Sequence, residues 1–227
     1  MFIRWIGQSG YIIRAGRTEI LLDPYLSDVV NRVANRPRLV VAPIKPNEIQ
    51  ADAVICTHNH LDHLDIDAVA EMDRHLFFLS TFEGRNTLAE MGVSQVKAVS
   101  AGETVVVGDV EITAVYANHT VEAFGVILRA EGYTLYFSGD TLFDERLFEI
   151  AQYRPDISFL CINGKLGNMN VDEAVAVAKR IGAKINIPNH YGMFASNTEE
   201  PNMFADQLDN GVIMEFNKEY EVKEILL

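Results

Sequence analysis

Thr57-His58-Asn59-His60-Leu61-Asp62-His63 is the most informative stretch of this chain, because it holds three of the six histidines among 227 residues. His58 and His60 are two residues apart, so their side chains project to the same side of an extended segment. The Asp62-His63 pair that follows can turn two further side chains inward. Imidazole nitrogens and carboxylate oxygens suit zinc, iron or manganese, and no thiolate is present to select a softer metal. The pattern therefore predicts a metal site.

Three more candidate ligands lie outside this stretch. His119, Asp140 and His190 each follow an apolar run that is typical of a strand. The carboxyl ends of parallel strands form one edge of a sheet, where loops are held by a rigid scaffold. We therefore expect these side chains to converge with the histidine stretch. The sixth histidine, His75, lies at a predicted helix-to-strand junction, and no function is assigned to it.

The surrounding pattern predicts strands in the first half of the chain and helix–strand alternation in the second. Residues 2–6, 11–15 and 18–23 read as antiparallel strands, and residues 24–50, with four prolines, as an irregular loop. The later pattern predicts helices over 143–153, 171–181 and 201–209, and strands over 157–162, 184–189 and 212–216. Two packed sheets with helices outside fit this order as a four-layer α/β sandwich, although another α+β arrangement fits nearly as well. No linker or repeat interrupts residues 1–227, so we expect a single domain.

The composition excludes several classes of function. Net charge is −13, with 32 acidic and 19 basic residues, which disfavours nucleic acid as a partner. The opening residues lack the uninterrupted apolar run of a signal peptide or membrane span, so we expect a cytoplasmic protein without a membrane partner. Cys56 and Cys161 lie inside apolar runs, which favours buried, reduced thiols.

The complete motif set resembles that of the metallo-β-lactamase superfamily. His58, His60, Asp62 and His63 match its H-x-H-x-D-H signature, and Leu21-Leu22-Asp23-Pro24 resembles its first motif. His119, Asp140 and His190 match its remaining ligand positions in order. The resemblance spans residues from about 7 to 192 and implies an αββα sandwich, with two mixed sheets and helices on both outer faces. Segments around Asn163, Asn170 and His190 look most like the branch that contains ascorbate-6-phosphate lactonase.

The resemblance also implies an arrangement of ligands around two divalent ions. His58, His60 and His119 would hold one ion, and Asp62, His63 and His190 the other, with Asp140 bridging. Zinc and manganese are the expected metals, with iron as a further option. Metal coordination lowers the pKa of water to about 7, so a bridging hydroxide would be the nucleophile. Asp62 would orient it as the catalytic carboxylate.

Hydrolysis of a small, anionic metabolite is the expected function. The substrate would be a lactone, ester or phosphoester, which corresponds to a lactonase-like enzyme of class EC 3.1. Asn163, Lys165 and Tyr191 are candidates for binding an anionic group, although Lys165 also fits a solvated loop and Tyr191 a packing role. Asp23 is expected to support a ligand histidine, with a turn before Pro24 as its alternative role.

Other functions remain open from the sequence. One is a phosphodiesterase that acts on a small phosphodiester, and another is a metal-binding protein without catalysis. Di-iron redox proteins of the same fold resemble H-x-E-x-D at the first motif, where this chain has His60. A homo-oligomer whose neighbouring subunit walls the site is a further expectation. Gly7-Gln8-Ser9-Gly10 reads only as a tight turn.

Overall fold

The computed structural model describes all residues, Met1–Leu227, and contains two mixed β-sheets, with strands numbered along the chain. The first sheet contains, in spatial order, β13 (Glu219–Glu221), β1 (Phe2–Gly7), β2 (Gly10–Ala15), β3 (Thr18–Leu22), β4 (Ala53–Cys56), β5 (Phe77–Ser80) and β6 (Gln95–Ala98). The second contains β12 (Ile185–Asn189), β11 (Ile157–Cys161), β10 (Tyr133–Phe137), β9 (Phe124–Ala130), β8 (Val110–Tyr116) and β7 (Thr104–Val107). Strands β3 to β6 pair in parallel, as do β10 to β12, whereas the other neighbours are antiparallel.

Side-chain alternation along the strands explains why the sheets form layers. In β3, Ile20 and Leu22 join the large core cluster that includes residues of both sheets. The intervening Leu21 points to the opposite face and joins a second cluster with helical residues. Across the main core, the Tyr11 ring of β2 lies 5.1 Å from the ring of Phe137 in the other sheet. Each sheet therefore buries one face against the other.

Six short α-helices and two 3₁₀ helices complete the fold. They are α1 (Val29–Ala34), α2 (Ile66–Glu71), α3 (Phe82–Glu90), α4 (Val171–Ile181), α5 (Asn202–Ala205) and α6 (Val222–Ile225), with 3₁₀ helices over Pro46–Glu48 and Glu145–Tyr153. α2 and α3 pack on the outer face of the first sheet, and α4 on that of the second. The predicted αββα sandwich is confirmed. None of the helices has the length and apolar composition needed to cross a membrane.

The helix over 171–181 has the predicted bounds because both of its ends carry strong signals. The Asn170 side chain accepts from the Glu173 amide, and the Glu173 carboxylate accepts from the Asn170 amide, which forms a capping box. At the other end, Gly182 adopts the left-handed conformation (φ 71°) that favours glycine. Local chemistry alone therefore determines where this helix begins and ends.

Several predicted elements differ in the structure. The predicted helix over 143–153 is a 3₁₀ helix, in which the buried Leu147 and Ile150 lie three residues apart and so share one face. Of the predicted helix over 201–209 only α5 is helical, and the predicted strand over 212–216 is wrong: only Gly211, just before it, forms an isolated bridge with Asn186. The proline-rich loop over 24–50 contains α1 and a short 3₁₀ helix.

Candidate metal centre

The histidine stretch forms the loop between β4 and α2, and two buried carboxylates hold its ends. Asp23 accepts hydrogen bonds from the Thr57 amide (2.7 Å) and the Thr57 hydroxyl (2.8 Å). Asp65 caps α2 by accepting from the Ala68 amide and also accepts from the backbone amides of Leu26 (2.9 Å) and Ser27 (2.7 Å). Both ends of the loop are therefore fixed to the segment that follows β3. Asp65 is a support that sequence reasoning missed, and its signal is an aspartate one residue before a helical pattern.

All seven side chains predicted as ligands meet at one edge of the two sheets. Their donor atoms form three overlapping groups, each within 4.8 Å: His58, His60 and His119; His58, His63 and Asp140; and Asp62, His63 and His190. His60 Nδ1 lies 3.1 Å from the Nε2 atoms of both His58 and His119. In the third group, His190 Nε2 lies 3.5 Å from Asp62 Oδ2. His75 is exposed and outside the cluster.

Asp140 lies between the two histidine groups. Its Oδ2 is 3.9 Å from His119 Nε2, 4.0 Å from His58 Nε2 and 3.2 Å from His190 Nε2. Its Oδ1 is 3.2 Å from His63 Nε2. One carboxylate thus faces both groups, as the predicted bridging position requires.

Hydrogen bonds away from the cluster determine which imidazole nitrogens face it. His63 Nδ1 donates to Asp23 Oδ2 (2.9 Å), and His119 Nδ1 donates to the Gly167 carbonyl (2.9 Å). In each neutral ring the Nε2 lone pair then points into the cluster. Asp23 therefore supports a candidate ligand histidine directly.

The cluster passes a test of fit for a bound cation. His63 Nε2 and Asp140 Oδ1 are buried and have no hydrogen-bond partner within the protein. Buried polar atoms are almost always partnered, so an orphaned nitrogen facing an orphaned carboxylate oxygen suits a shared positive ion. The donor set of imidazoles and carboxylates is the type that zinc, manganese and iron accept.

The pKa values of the histidines shift in opposite directions on the two sides of the cluster. Burial, and then the neighbouring rings, lower the pKa of His58 well below its ordinary value, and burial also lowers that of His60. At His190, burial opposes protonation, but the Asp140 and Asp62 carboxylates outweigh it and raise the pKa to about 9. The carboxylates thus create a field that favours positive charge beside His190.

Gln8 is a further buried contact of the cluster that sequence reasoning missed. Its Nε2 donates to Asp62 Oδ2 (2.7 Å) and lies 3.1 Å from His190 Nε2, whereas its Oε1 is buried without a partner. The Gln8 backbone adopts φ 51°, a conformation that L residues rarely take, and the Trp5 indole donates to its carbonyl. His190 (φ 62°) and Asp23 (φ 41°) also have positive φ. Such strain persists only where the surrounding structure enforces it.

The three candidate anion-binding residues lie around the cluster in different settings. Asn163 is buried, donates to Asn197 and accepts from Asn168, whose amide also donates to Asp140 Oδ2 (2.9 Å). Lys165 is exposed on the same loop. Tyr191 is 8% exposed, and its ring packs 4.8 Å from that of Trp5. Asn163 thus supports Asp140 through Asn168, and an anion-binding role for these residues stays a prediction.

A family profile described as a β-lactamase superfamily domain matches residues 18–191, which include all seven of the candidate ligands. The chain belongs to the metallo-β-lactamase superfamily. Within it, the chain is 28% identical to a UPF0173 metal-dependent hydrolase of Oenococcus oeni, over 97% of this chain and all of that protein.

Solved structures of low identity share the superfamily fold. Isothiocyanate hydrolase from Delia radicum gut bacteria aligns with a TM-score of 0.81 at 18% identity, covering 97% of this chain and 99% of that one. CmlA, a diiron β-hydroxylase from Streptomyces venezuelae, aligns with a TM-score of 0.75 at 14% identity, covering 97% of this chain and 54% of CmlA. At these identities the comparison establishes the superfamily fold and leaves the reaction to be argued from the site.

Proposed function

We propose that this superfamily member, a metal-dependent hydrolase, cleaves a lactone, ester or phosphoester bond of a small anionic molecule. One observation carries the proposal: two groups of inward-facing ligand atoms share the Asp140 carboxylate between them. We assign His58, His60 and His119 to one divalent ion and Asp62, His63 and His190 to the other. Zinc and manganese are the proposed metals. The likeness to ascorbate-6-phosphate lactonases in the sequence supports a lactone as the first substrate to test.

The ions would contribute Lewis acidity, which activates water and polarises a carbonyl or phosphoryl oxygen. The reaction itself is a simple hydrolysis. For an ester or lactone, the oxygen of water bonds to the carbonyl carbon, the acyl–oxygen bond breaks, and the released alcohol takes up a proton.

Asp62 is positioned to handle the proton of the attacking water. Its side chain is 18% exposed and lines a pocket beside the cluster. Burial raises its pKa, but His63 and His190 outweigh this effect and hold the pKa below its usual range, so the carboxylate is ionised at neutral pH. Gln8 occupies Oδ2, which leaves Oδ1 without a protein hydrogen bond. We therefore assign to Oδ1 the role of accepting a hydrogen bond from water and passing on its proton.

Metal analysis combined with a hydrolysis screen tests this function. The purified protein is assayed for bound metals and for turnover of sugar-phosphate lactones, simple lactones and bis-p-nitrophenyl phosphate. We expect His60→Ala to lose both metal and turnover, because His60 Nδ1 faces two other candidate ligands at 3.1 Å. His75→Ala is the matched control, since His75 is exposed and outside the cluster.

The outcomes separate the alternatives. Full activity after removal of metal would contradict the proposal. Turnover of the phosphodiester alone would identify a phosphodiesterase, and metal binding without turnover of any substrate class would identify a non-catalytic protein. The di-iron redox proteins whose first motif resembles H-x-E-x-D have glutamate where this chain has His60, which favours hydrolysis over oxygen-dependent chemistry.

A further inference from the structure

A pocket of about 420 Å³ opens beside the candidate metal centre. His60 and Asp62 form its inner end. Its walls include four apolar side chains: Val30, Ala34, Leu61 and Leu166. A volume of this order holds a small organic molecule, and apolar walls favour an apolar body in that molecule.

Arg36 lines the same pocket and is the one arginine in residues 32–38 whose side chain has no hydrogen-bond or ion-pair partner. Nearby, Arg32 forms a two-point ion pair with Asp67, and Arg38 donates to the carbonyls of Val40 and Ser27. Arg36 is exposed and forms neither an ion pair nor a side-chain hydrogen bond. In a chain of net charge −13, an unpaired guanidinium beside the reaction centre is available to an anionic ligand.

Leu166 also lines the pocket, and its backbone conformation is strained. It is 58% exposed and has φ 55°, although an apolar L residue gains nothing from that backbone conformation. Its neighbour Gly167 accepts the hydrogen bond that orients His119, and Gly164 donates to the Met169 carbonyl. The loop that orients a candidate ligand therefore also holds an apolar side chain at the pocket.

We propose that the pocket selects substrates with an apolar chain and a single carboxylate, which pairs with Arg36. The chain packs between α1 and Leu166, and the bond to be broken lies at His60 and Asp62. One planar guanidinium matches one carboxylate through two parallel hydrogen bonds. This inference rests on the proposed hydrolytic function and adds the substrate class to it.

Two esters of equal chain length test the proposal on the metal-loaded protein. They are 4-nitrophenyl hexanoate, which is neutral, and the mono-4-nitrophenyl ester of adipic acid, which carries one carboxylate. We expect kcat/KM to favour the adipate ester. Arg36→Ala should lower its kcat/KM by about 2- to 5-fold, mainly through KM, since an exposed ion pair contributes on this scale. Turnover of the neutral hexanoate ester should stay unchanged in Arg36→Ala, and Arg36→Lys should retain part of the preference for the adipate ester.

Two further variants act as controls. Arg32→Ala removes a neighbouring arginine that does not line the pocket and should leave the preference intact. Leu166→Asn removes apolar surface while keeping a residue type that tolerates positive φ, so it should weaken both esters equally. An equal effect of Arg36→Ala on both esters would overturn the proposal.

A binding measurement separates failure of this inference from failure of the hydrolytic function. Calorimetric titration of the metal-loaded protein with hexanoate and hexan-1-ol requires no turnover. We expect hexanoate to bind more tightly, with the advantage lost in Arg36→Ala. If neither these esters nor any substrate of the hydrolysis screen is turned over but this result holds, the hydrolytic function fails and the pocket assignment stands. Unchanged hexanoate affinity in Arg36→Ala overturns the assignment, as does Arg36-dependent binding of hexyl phosphate that is tighter than that of hexanoate.

Discussion

The inner end of the pocket, at the metal centre, and its exposed mouth, at Arg36 and Leu166, differ in how firmly their side chains are held. At the metal centre that forms the inner end, four of the seven candidate ligands have a second contact that fixes their orientation: Asp23 for His63, Gly167 for His119, Gln8 for Asp62 and Asn168 for Asp140. At the mouth, Arg36 and Leu166 are exposed and make no comparable contacts. Groups that perform chemistry need fixed geometry, whereas groups that select a substrate must leave their binding capacity free. The variants below test this division.

Asp140→Asn should have the largest effect. Asp140 faces both histidine groups, so loss of its charge weakens cation binding on both sides at once. We expect turnover to fall by more than about 100-fold, beyond the range typical of residues that only orient ligands. Metal content and hydrolysis rate measure the effect. Asp144→Asn, four residues away and paired with Arg146, is the control. Retention of full metal content in Asp140→Asn would contradict the assignment of Asp140 to both ions.

Asp23→Asn should weaken metal binding by about 10- to 100-fold. An amide nitrogen in place of Oδ2 cannot accept the proton of His63 Nδ1, so the ring is driven to the tautomer whose protonated Nε2 faces the cluster. Competition with a metal chelator measures the affinity.

Asp65→Asn offers the comparison for Asp23. It disturbs a buried carboxylate that accepts only from backbone amides and Ser27, so it should lower Tm more than it lowers metal affinity. Equal losses of metal affinity in the two variants would show that Asp23 supports the loop rather than His63.

Gln8→Gly should lower kcat by about 10-fold with little change in KM, at the lower end of the range for such contacts. Glycine removes the hydrogen bond to Asp62 while adopting φ 51° without strain, so the backbone turn is preserved. Gln8→Asn keeps an amide that is one carbon shorter and tests whether reach matters. An unchanged kcat in Gln8→Gly would show that Asp62 needs no support from this side.

The same contrast explains how much of the site could be predicted. The spacing in residues 57–63 and the positions of His119, Asp140 and His190 after strands identify the cluster, because strand ends impose a common edge. The contact of Gln8 with the cluster could not be predicted, because a turn sequence does not reveal which way a side chain at positive φ points. The turn itself was predicted, but its contact with Asp62 depends on packing between distant segments.

Arg36 and the 3₁₀ helix are two more features that the local sequence does not predict. Arg32, Arg36 and Arg38 look alike in a proline-rich segment without periodicity, and only the fold reveals that one of them is unpaired. The helix over 171–181 has a complete capping box at its start and a glycine at its left-handed end, whereas Glu145–Tyr153 has a single cap from Asp144 and an arginine, Arg154, at its left-handed end. Local signals fix elements that contain them, and tertiary packing decides the rest.

The smallest effect is expected from thiol reagents, which test whether the protein core next to the metal centre is closed to solvent. Burial, and then the nearby Asp140 carboxylate, raise the pKa of Cys161 to about 11, and burial raises that of Cys56 as well. At about pH 8 both are therefore neutral thiols, which react slowly because the thiolate is the nucleophile. We expect neither to react with an aromatic disulfide reagent in the native protein and both to react in denaturant. Val41→Cys, at a residue 84% exposed beyond α1, should be labelled rapidly. Native labelling of Cys161 at a comparable rate would mean that the core next to Asp140 opens to solvent.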